Sequence, residues 1–300
     1  MKANMRLSVV VQTKNAAKTL EKALQSVAFA DELIVVDMES SDATREIALK
    51  FTDNVVSTKD VGYVEPARNK AIEKASGEWI LLLDADEEIS VSLGEKIETL
   101  VATESDVSCY FLPRKNIIFG NWVKDTGWWP DFQPRLFRAG TVTWKDEIHS
   151  RPLINGKTDK LPSDESLAII HHNYSTVSEY IDRLNRYTSI TAKFDSKEKS
   201  VTTAGLISSY RSELLRRLFL QGGIDGGYRS VLLSFLQANY ELVVSAKKWE
   251  IAGRPEDDST SITEMEKFNS ELAYWIADWH TKKDGLFRKL FWKIRRKLRV

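Results

Sequence analysis

The sequence predicts an α/β protein with a mostly parallel sheet, flanking helices and a C-terminal helical extension. Three observations lead to this prediction. Apolar runs alternate with helical patterns over about the first hundred residues, polar residues follow each run, and the pattern is helical after about residue 175. Strands that alternate with helices form βαβ units, and such units build parallel sheets with helices on both faces.

The predicted elements of the first half follow one another at short intervals. "LSVVVQT" is an apolar run that ends in polar residues, and residues 20–27 then show apolar side chains at helical spacing. "ELIVV" predicts a second strand that ends at Asp37, and "NVVST" predicts a short third one. A helix that carries Arg68 leads to the fourth run, "WILLL". Continuous runs of this kind are typical of strands buried on both faces.

Composition narrows the classes of protein that fit. The chain has 300 residues, 42% of them hydrophobic, which is ample for a globular core. Its 43 basic and 43 acidic residues balance, so nucleic acid is not an expected partner. Cys109 is the single cysteine and excludes an intramolecular disulfide. Neither a signal peptide nor an apolar run of about 18 residues is present, which predicts a cytoplasmic protein.

The stretch "WILLLDADEE" delivers several carboxylates to the end of a buried strand. Asp84 and Asp86 are two residues apart, so on an extended chain they are expected to point the same way. Two neighbouring carboxylates repel each other at low dielectric, and a divalent cation relieves that repulsion. Glu87 and Glu88 are expected to begin the next helix. The alternative is an acidic strand-to-helix loop without a metal.

Polar residues follow each of the main predicted strands. Thr13 and Asn15 follow the first, Asp37 ends the second, and Asp84 with Asp86 follows the fourth. In open parallel sheets, ligands bind outside the carboxyl ends of the strands. The sequence therefore predicts a binding site at this edge of the sheet.

Three of these segments resemble a known family: "SVVVQTKN", "ELIVVDMESSDAT" and "ARNKAIEKASGEWILLLDADEE". They are similar to the nucleotide-sugar-binding half of family 2 glycosyltransferases of the GT-A fold, especially the lipopolysaccharide-core branch. The resemblance implies inverting transfer of a sugar from a nucleoside-diphosphate sugar to a glycan or lipid-linked acceptor of the cell envelope. The expected domains are a catalytic domain over 1–175, with a nucleotide-sugar half (1–103) and an acceptor half (104–175), and a helical extension over 176–300.

The resemblance also implies roles for the residues at the strand ends. Those expected around the nucleotide sugar are Thr13, Asn15, Asp37, Arg68 and Asp84. Asp86 is the expected ligand of Mg²⁺ or Mn²⁺ as the second aspartate of the DXD motif, while Asp84 either shares the metal or binds the ribose. For Arg68, the alternative is a solvated arginine on a helix face.

An inverting displacement needs a general base that takes the proton of the acceptor hydroxyl. Asp131 in "GWWPDFQPRLFR" is one candidate, and Glu147 in "WKDEIHSRP" is the favoured one. His149 shares one face of an extended segment with Glu147, so it is expected to contact the substrate or the metal. In "IIHHNY", either His171 or His172 could complete the metal shell, and His172 is taken as the candidate.

Trp128 and Trp129 are the candidates for the acceptor site. Sugar rings present apolar faces that pack on indoles while their hydroxyls reach polar groups. The alternative is that these tryptophans belong to the core.

The C-terminal segment predicts a helix that lies on a membrane. From Leu286 to Val300 there are seven Lys or Arg residues and no acidic residue. Apolar residues recur in it at helical spacing, at Phe287, Leu290, Phe291, Ile294 and Leu298. This pattern is typical of interfacial helices and suggests peripheral binding to the anionic inner face of the cell membrane. The alternative is that the apolar stripe packs on the catalytic domain.

Two other functions fit parts of the sequence. Phosphatases similar to haloacid dehalogenases also place two aspartates after a buried strand. Their motif follows the first strand and continues with Thr or Val, whereas here it follows three βα units and continues with Glu. The second alternative is a non-catalytic scaffold that retains the nucleotide-sugar pocket.

Overall fold

The computed structural model describes residues 6–60, 65–144, 151–195, 201–257 and 261–299. The chain divides into two compact units. The first comprises Met1–Val123 and Trp128–Thr176, and the second comprises Lys124–Gly127 and Val177–Val300. The short segment Lys124–Gly127, which the sequence placed in the acceptor half, thus belongs with the C-terminal helices.

The described part of the first unit contains thirteen strands and four α-helices. The strands are β1 (Leu7–Thr13), β2 (Glu32–Asp37), β3 (Val55–Ser57), β4 (Trp79–Asp84), β5 (Glu87–Glu88), β6 (Val107–Leu112), β7 (Arg114–Ile118), β8 (Asn121–Trp122), β9 (Gln133–Arg138), β10 (Val142–Thr143), β11 (Leu153–Ile154), β12 (Lys157–Lys160) and β13 (Ile169–Tyr174). The helices are α1 (Leu20–Gln25), α2 (Thr44–Ala48), α3 (Glu65–Ile72) and α4 (Val91–Ala102).

The main sheet has seven strands in the order β12-β6-β9-β4-β1-β2-β3. Strand β1 pairs in parallel with β2 and β4, β2 pairs in parallel with β3, and β12 with β6. Strand β9 is antiparallel to both of its neighbours, β4 and β6. The sheet is therefore mixed but mostly parallel, which confirms the predicted fold class.

Burial on both faces explains the continuous apolar runs of β1 and β4. Val9 lies opposite Leu81 in the register, and both belong to one hydrophobic cluster. Val10 lies opposite Leu82, and both belong to a second cluster. Because successive side chains of a strand point to opposite faces, a strand between two cores needs apolar residues at every position.

The chain turns immediately after β4, and this corrects the expected course of the acidic stretch. Ala85 and Asp86 form a turn, so the two aspartates do not extend from one strand. Glu87 and Glu88 form β5, which pairs antiparallel with β13. They therefore do not begin a helix. Helix α4 starts after Ser90, whose side chain accepts a hydrogen bond from the backbone N–H of Leu93 at 3.2 Å.

A second sheet has the strand order β5-β13-β7-β8, and β10 pairs with β11 separately. Strand β13, which carries "IIHHNY", is parallel to β7. Through its pairing with β5, β13 lies directly beside the turn that carries Asp86. This places a histidine-containing strand next to the acidic motif.

The second unit is helical, which confirms the predicted C-terminal helical extension. Its described α-helices are α5 (Val177–Asp195), α6 (Thr203–Leu215), α7 (Gly227–Ile251), α8 (Ile262–Lys283) and α9 (Leu286–Leu298). A buried arginine of α6, Arg211, forms ion pairs with Glu264 and Glu271 of α8, at 3.0 and 3.2 Å. Among the described residues, no helix combines the length and hydropathy that a membrane crossing requires.

Candidate active site

Four polar residues form two register pairs at the carboxyl edge of the main sheet. Thr13 of β1 is the register partner of Asp37 in β2, and Gln12 of β1 is the partner of Asp84 in β4. Parallel strands end at the same edge, so residues far apart in the sequence meet there. The structure thus brings together the strand-end residues that the sequence singled out.

At the first two strand ends, buried polar atoms face this edge. Thr13 is 2% exposed, and its Oγ1 has no hydrogen-bond partner among the described residues. A buried polar atom without a partner costs about 1–3 kcal/mol, so such a group in a native fold calls for a ligand or a water. Asp37 is 3% exposed, and its carboxylate accepts long hydrogen bonds from the Ser40 N–H, at 3.3 and 3.4 Å.

Asn15 braces the loop that follows β2. Its Oδ1 accepts hydrogen bonds from the backbone N–H and the hydroxyl of Ser41, at 2.8 and 3.3 Å. Its own N–H donates to the hydroxyl of Ser40 at 2.9 Å. The backbone of Asn15 is left-handed, with φ of 47°, a conformation that asparagine tolerates better than most residues. The side-chain oxygen predicted to face the nucleoside is therefore engaged in holding two loops together.

Two guanidinium groups bind the carboxylate of Asp84. Arg135 Nη2 lies 2.5 Å from Oδ2, and Arg68 Nη2 lies 3.4 Å from Oδ1. Burial alone would raise the pKa of Asp84, but the charges of Arg135 and Arg68 outweigh it and hold that pKa well below its ordinary value. The protein's own arginines thus pair with this carboxylate, and the metal and ribose roles of Asp84 both stay predictions.

Arg68 faces the strand ends and is not a solvated residue of a helix face. Its side chain is 15% exposed, and Nε donates to Gln12 Oε1 at 3.1 Å. Its guanidinium carbon lies 5.5 Å from the ring centroid of Trp144, a distance at which the cation and the indole attract each other. The structure thus sets aside the solvated alternative for Arg68.

The carboxylate of Glu87, which is fully buried, links Arg135 to a third arginine, Arg114. Its Oε1 lies 2.7 Å from Arg135 Nη2 and 3.0 Å from Arg114 Nη1. Arg114 Nη2 in turn lies 2.6 Å from Asp131 Oδ2. The result is a chain of alternating charges that runs from Asp84 to Asp131. Alternation compensates the large cost of burying each charge.

Asp131 is held as a carboxylate at the far end of this chain. It also accepts hydrogen bonds from Asn116 Nδ2 at 3.1 Å and from Gln133 Nε2 at 2.6 Å. Burial alone would raise the pKa of Asp131, but the charge of Arg114 and these hydrogen bonds lower it. A carboxylate with a lowered pKa is a weak base, so the structure does not favour Asp131 as the general base.

Asp86 faces a histidine of the neighbouring strand. Its Oδ2 lies 3.6 Å from Nε2 of His171, which is 7% exposed. The backbone N–H of His172 donates to the carbonyl of Asp86 at 2.9 Å, which fixes β13 against the turn. Main-chain pairing between β13 and the turn therefore holds the side chains of Asp86 and His171 near each other.

Asn116 determines which nitrogen of His171 carries hydrogen when the ring is neutral. Its Nδ2 donates to the carbonyl of Trp128 at 3.0 Å and to Asp131 Oδ2 at 3.1 Å. Both partners accept only, so the amide orientation is fixed and Oδ1 faces His171 Nδ1 at 2.6 Å. Since Oδ1 accepts only, Nδ1 must donate. The neutral ring then directs the lone pair of Nε2 toward Asp86.

His172, the histidine chosen from the sequence, has a different partner. Its Nε2 lies 2.7 Å from Glu88 Oε1. Successive residues of a strand point to opposite faces, so only one of the two histidines can face Asp86. In the structure, His171 is the histidine that faces Asp86, and a metal contact by either histidine stays a prediction. The described residues contain no group of three or more His, Cys, Asp or Glu side chains arranged to hold a metal.

Glu147 and His149, the favoured base and its neighbour, lie outside the described residues.

The candidate acceptor tryptophans are both half-buried. The ring of Trp129 packs edge-on against Trp122, with centroids 5.1 Å apart, and that of Trp128 packs edge-on against Tyr174 at 6.4 Å. Trp128 is tied to the site through the hydrogen bond from Asn116 to its carbonyl.

Sequence reasoning missed several residues that build this site, namely Arg114, Asn116 and Arg135. A signal for two of them was present. Arg114 and Asn116 are two residues apart, so within a strand they share one face. Polar residues repeated on one face of a buried strand need partners there. Nothing local indicated that those partners would be Glu87, Asp131 and His171.

The model of the glycosyl transferase family 2 matches residues 8–158. The chain belongs to glycosyl transferase family 2. The activity of this family is sugar transfer. Membership in it, together with the observed sheet, confirms the GT-A type of fold. Because the chain belongs to this family, the phosphatase alternative no longer applies. The lipopolysaccharide-core branch stays a prediction.

Known relatives share the family at low sequence identity. An uncharacterized glycosyltransferase of Rickettsia bellii is 27% identical over 249 residues, which are 77% of this chain and 83% of the relative. Staphylococcus aureus TarS 1–349, solved in complex with UDP, is 16% identical with a TM-score of 0.41, over 83% of this chain and 91% of that one. Glucosyl-3-phosphoglycerate synthase of Mycobacterium tuberculosis, solved with Mn²⁺, UDP and phosphoglyceric acid, is 24% identical with a TM-score of 0.30, over 40% and 45% of the two chains.

Proposed function

We propose that the protein transfers a sugar from a nucleoside-diphosphate sugar to a glycan or lipid-linked acceptor of the cell envelope, with inversion at the anomeric carbon and with help from Mg²⁺ or Mn²⁺. Lipopolysaccharide or envelope polysaccharide is the proposed product class. The observation that carries the proposal is the juxtaposition of Asp86 Oδ2 and His171 Nε2, 3.6 Å apart, at the carboxyl edge of the sheet.

The chemistry of this pair fits a divalent cation. A carboxylate oxygen and an imidazole lone pair that face each other repel unless a proton or a cation lies between them. A carboxylate oxygen is a ligand of the type that Mg²⁺ and Mn²⁺ prefer, and a neutral imidazole nitrogen is the commonest metal-binding group among side chains. Mg²⁺ commonly takes few protein ligands and completes its shell with water and substrate phosphates.

When bound, such a cation would stabilise the negative charge that develops on the leaving diphosphate. The protein's part is to hold Asp86 and His171 in place. Asn116 keeps the His171 ring in the tautomer that leaves Nε2 open, and the β5-β13 pairing keeps the ring beside the turn. Outer-shell hydrogen bonds of this kind orient metal ligands and tune their basicity.

The strand ends supply the proposed contacts to the nucleotide. The hydroxyl of Thr13 and the carboxylate of Asp37 offer a donor and acceptors to the nucleoside. Asp84 remains 23% exposed at its side chain and can accept a ribose hydroxyl beside its arginines. Arg68 makes the longer of the two contacts to Asp84, so we propose that it reaches the diphosphate when a donor binds. Asn15 shapes the loop around these contacts.

On the acceptor side, Trp128 and Trp129 would present indole faces to a sugar ring. Glu147 is the proposed base, and His149 is a proposed contact of the acceptor or the metal. The base takes the hydroxyl proton while the hydroxyl oxygen attacks the anomeric carbon opposite the leaving diphosphate. Attack from that side inverts the configuration.

Glu147→Gln tests the base. Turnover should fall by about 100-fold or more, the usual scale for the loss of a general base, while donor binding stays near that of the wild type. Asp131→Asn is measured in parallel. If Asp131→Asn abolishes turnover with donor binding intact and Glu147→Gln does not, the base assignment is wrong.

A comparison of the two adjacent histidines tests the metal proposal. Purified protein is screened by thermal shift against UDP-, GDP-, CMP- and dTDP-sugars with Mn²⁺, and nucleotide release is then measured with the sugar that stabilises it most. His171→Ala should abolish the Mn²⁺-dependent stabilisation and nucleotide release, whereas His172→Ala should keep both. Equal behaviour of the two variants, or wild-type activity that a chelator leaves unchanged, would contradict the proposal.

The same assay separates an enzyme from a scaffold. A wild-type protein that is stabilised by a nucleotide sugar and Mn²⁺, yet releases no nucleotide with or without acceptor extracts, would be a binding scaffold. Because a lipid-linked acceptor lies in a membrane, we also propose that the protein works peripherally at the inner face of the cell membrane.

A further inference from the structure

We infer that helix α9 is a docking surface for anionic lipid bilayers, with an exposed apolar stripe that enters the lipid interface. The stripe consists of Leu290, Phe291, Ile294 and Leu298. The inference assigns the proposed membrane binding to one defined surface of the protein. It rests on α8 and α9 alone and is tested without sugar transfer.

The side of α9 that packs against α8 is its aromatic and basic side. The ring of Trp292 stacks on that of His280, with centroids 3.9 Å apart and an interplanar angle of 2°. Arg296 Nη1 lies 2.6 Å from Oδ1 of Asp278, which is only 7% exposed. A stacked pair and a partly buried ion pair thus set the rotation of α9 about its own axis.

The apolar stripe points away from this contact. An α-helix turns by about 100° per residue, so Ile294 lies about 200° from Trp292, nearly opposite α8. Exposure agrees with this geometry: Leu290 is 66% exposed, Phe291 56%, Ile294 55% and Leu298 63%. These four side chains are therefore not packed against the helices of their own unit. Contiguous exposed apolar side chains of this kind are typical of interaction sites.

Positive charge identifies the partner. The segment from Leu286 has seven basic residues and no acidic one. Lys293 and Lys297, both exposed, follow one edge of the stripe, and Arg295 follows the other edge. Long basic side chains can lay their apolar stems beside lipid and keep the charge at the headgroup level.

A bilayer with anionic lipids meets both features of α9 at once. Its headgroups attract the cations, and its acyl boundary accepts the apolar stripe. A nucleic acid would leave the stripe in water. A second copy of α9 would bring two rows of like charge together, which opposes pairing.

The test is co-sedimentation of the full-length protein with vesicles of phosphatidylcholine, alone or mixed with phosphatidylglycerol. Binding to the mixed vesicles should be at least about tenfold tighter, because each basic residue near an anionic surface contributes favourably. Raised salt should weaken this binding without abolishing it, since salt screens the charges and leaves the apolar contact.

Two double variants separate the stripe from the charges. Leu290→Ser with Ile294→Ser should lower affinity for the mixed vesicles at least about tenfold. The burial of even one Leu or Ile side chain in lipid contributes about that much to affinity. Its matched control replaces two exposed apolar residues of the first unit, Leu49→Ser with Val91→Ser, which should bind as the wild type does.

Lys293→Glu with Lys297→Glu should remove most of the preference for anionic vesicles. Its matched control, Lys22→Glu with Lys50→Glu, changes the net charge equally at exposed positions of the first unit and should keep that preference. All of the replaced side chains are exposed, so each variant should unfold at the temperature of the wild type.

Three results would overturn the inference. The wild type stays in the supernatant with mixed vesicles, the Ser double variant binds as tightly as the wild type, or light scattering shows a dimer that this variant disperses. The last result would make the stripe an interface between copies of the chain. The Asp86→Asn variant, which we expect to be inactive, should still bind vesicles, so the docking inference and the proposed transfer fail or stand separately.

Discussion

Asp84 and Asp86 stand two residues apart, yet their carboxylates meet opposite surroundings. Asp84 ends β4 and contacts the guanidinium groups of Arg135 and Arg68. Asp86 lies in the following turn and faces Nε2 of His171. Arginines contact the first carboxylate, while the second faces a side chain of the type that ligates metals. Strand β9 and helix α3 supply the arginines and strand β13 supplies the histidine, so the spacing of the motif alone does not tell which aspartate is the better candidate for a metal ligand.

The same contrast separates structural from functional charge in this unit. The chain from Asp84 through Glu87 to Asp131 alternates carboxylates with arginines and is largely closed to solvent. Its members form ion pairs with one another, so their loss should affect folding first. The Asp86–His171 pair lies beside this chain and is joined to it through Asn116. Loss of that pair should affect the reaction first.

The largest expected effect is on turnover in Asp86→Asn. Several kcal/mol of charge stabilisation would be lost, which corresponds to about 10³-fold or more in rate. Melting in the absence of ligand should stay near that of the wild type. Asp84→Asn is the matched control and should weaken donor binding while keeping its dependence on Mn²⁺. An Asp86→Asn protein with wild-type turnover would remove the proposed distinction between the two aspartates.

Glu87→Gln should have the largest effect on stability. It leaves Arg114 and Arg135 without their shared buried carboxylate, and breaking a buried ion pair costs about 3 kcal/mol or more. Urea unfolding at neutral pH measures this loss. Glu165→Gln, which breaks an ion pair of an exposed glutamate with Lys115, should cost less than about 1 kcal/mol. Equal losses of stability in the two variants would mean that the buried row of alternating charges contributes no more to stability than a surface ion pair.

Asn116→Ala tests whether Asn116 positions His171 for metal binding. Without Oδ1 to hold Nδ1, His171 is no longer fixed in one tautomer, and affinity for Mn²⁺ should fall about 10- to 100-fold. Gln133→Ala is the control, since Gln133 also binds Asp131 but does not contact His171. Isothermal titration with Mn²⁺ in the presence of UDP measures both. If the two variants bind Mn²⁺ equally, Asn116 does not position the histidine.

The smallest expected effect concerns the pH dependence of stability through Asp131. Its pKa in the folded state lies below the ordinary 3.8, so below about pH 4 the unfolded chain binds the proton first. The stability that Asp131 contributes is full above about pH 4 and is lost as the pH falls toward its folded pKa. The loss is at most about 1.4 kcal/mol per pH unit for one group.

Asp131→Asn should therefore flatten the decline of unfolding free energy as the pH falls below about 4, where the unfolded chain takes up the proton first. Urea unfolding across this range measures the slope. An unchanged slope would show that Asp131 does not titrate with a lowered pKa.

The sequence by itself determined the sheet and the edge at which the site lies. β1, β2 and β4 each contain an unbroken apolar run (VVV, LIVV and WILLL), which is typical of a strand between two cores. Because parallel strands end together, Thr13, Asp37 and Asp84 had to meet. Periodicity also predicted the apolar stripe of α9. These inferences depend on local pattern and on rules that hold for every parallel sheet.

Only the tertiary structure decided which side chains meet at that edge. Glu87 enters β5 because β13 pairs with it, and His171 faces Asp86 where His172 does not because of the register of that pairing. A slip of one residue would exchange the two histidines. The direction of the α9 stripe was likewise set by the stack of Trp292 on His280. Register and helix rotation depend on contacts between different segments of the chain. A local sequence pattern does not indicate which segments will make these contacts.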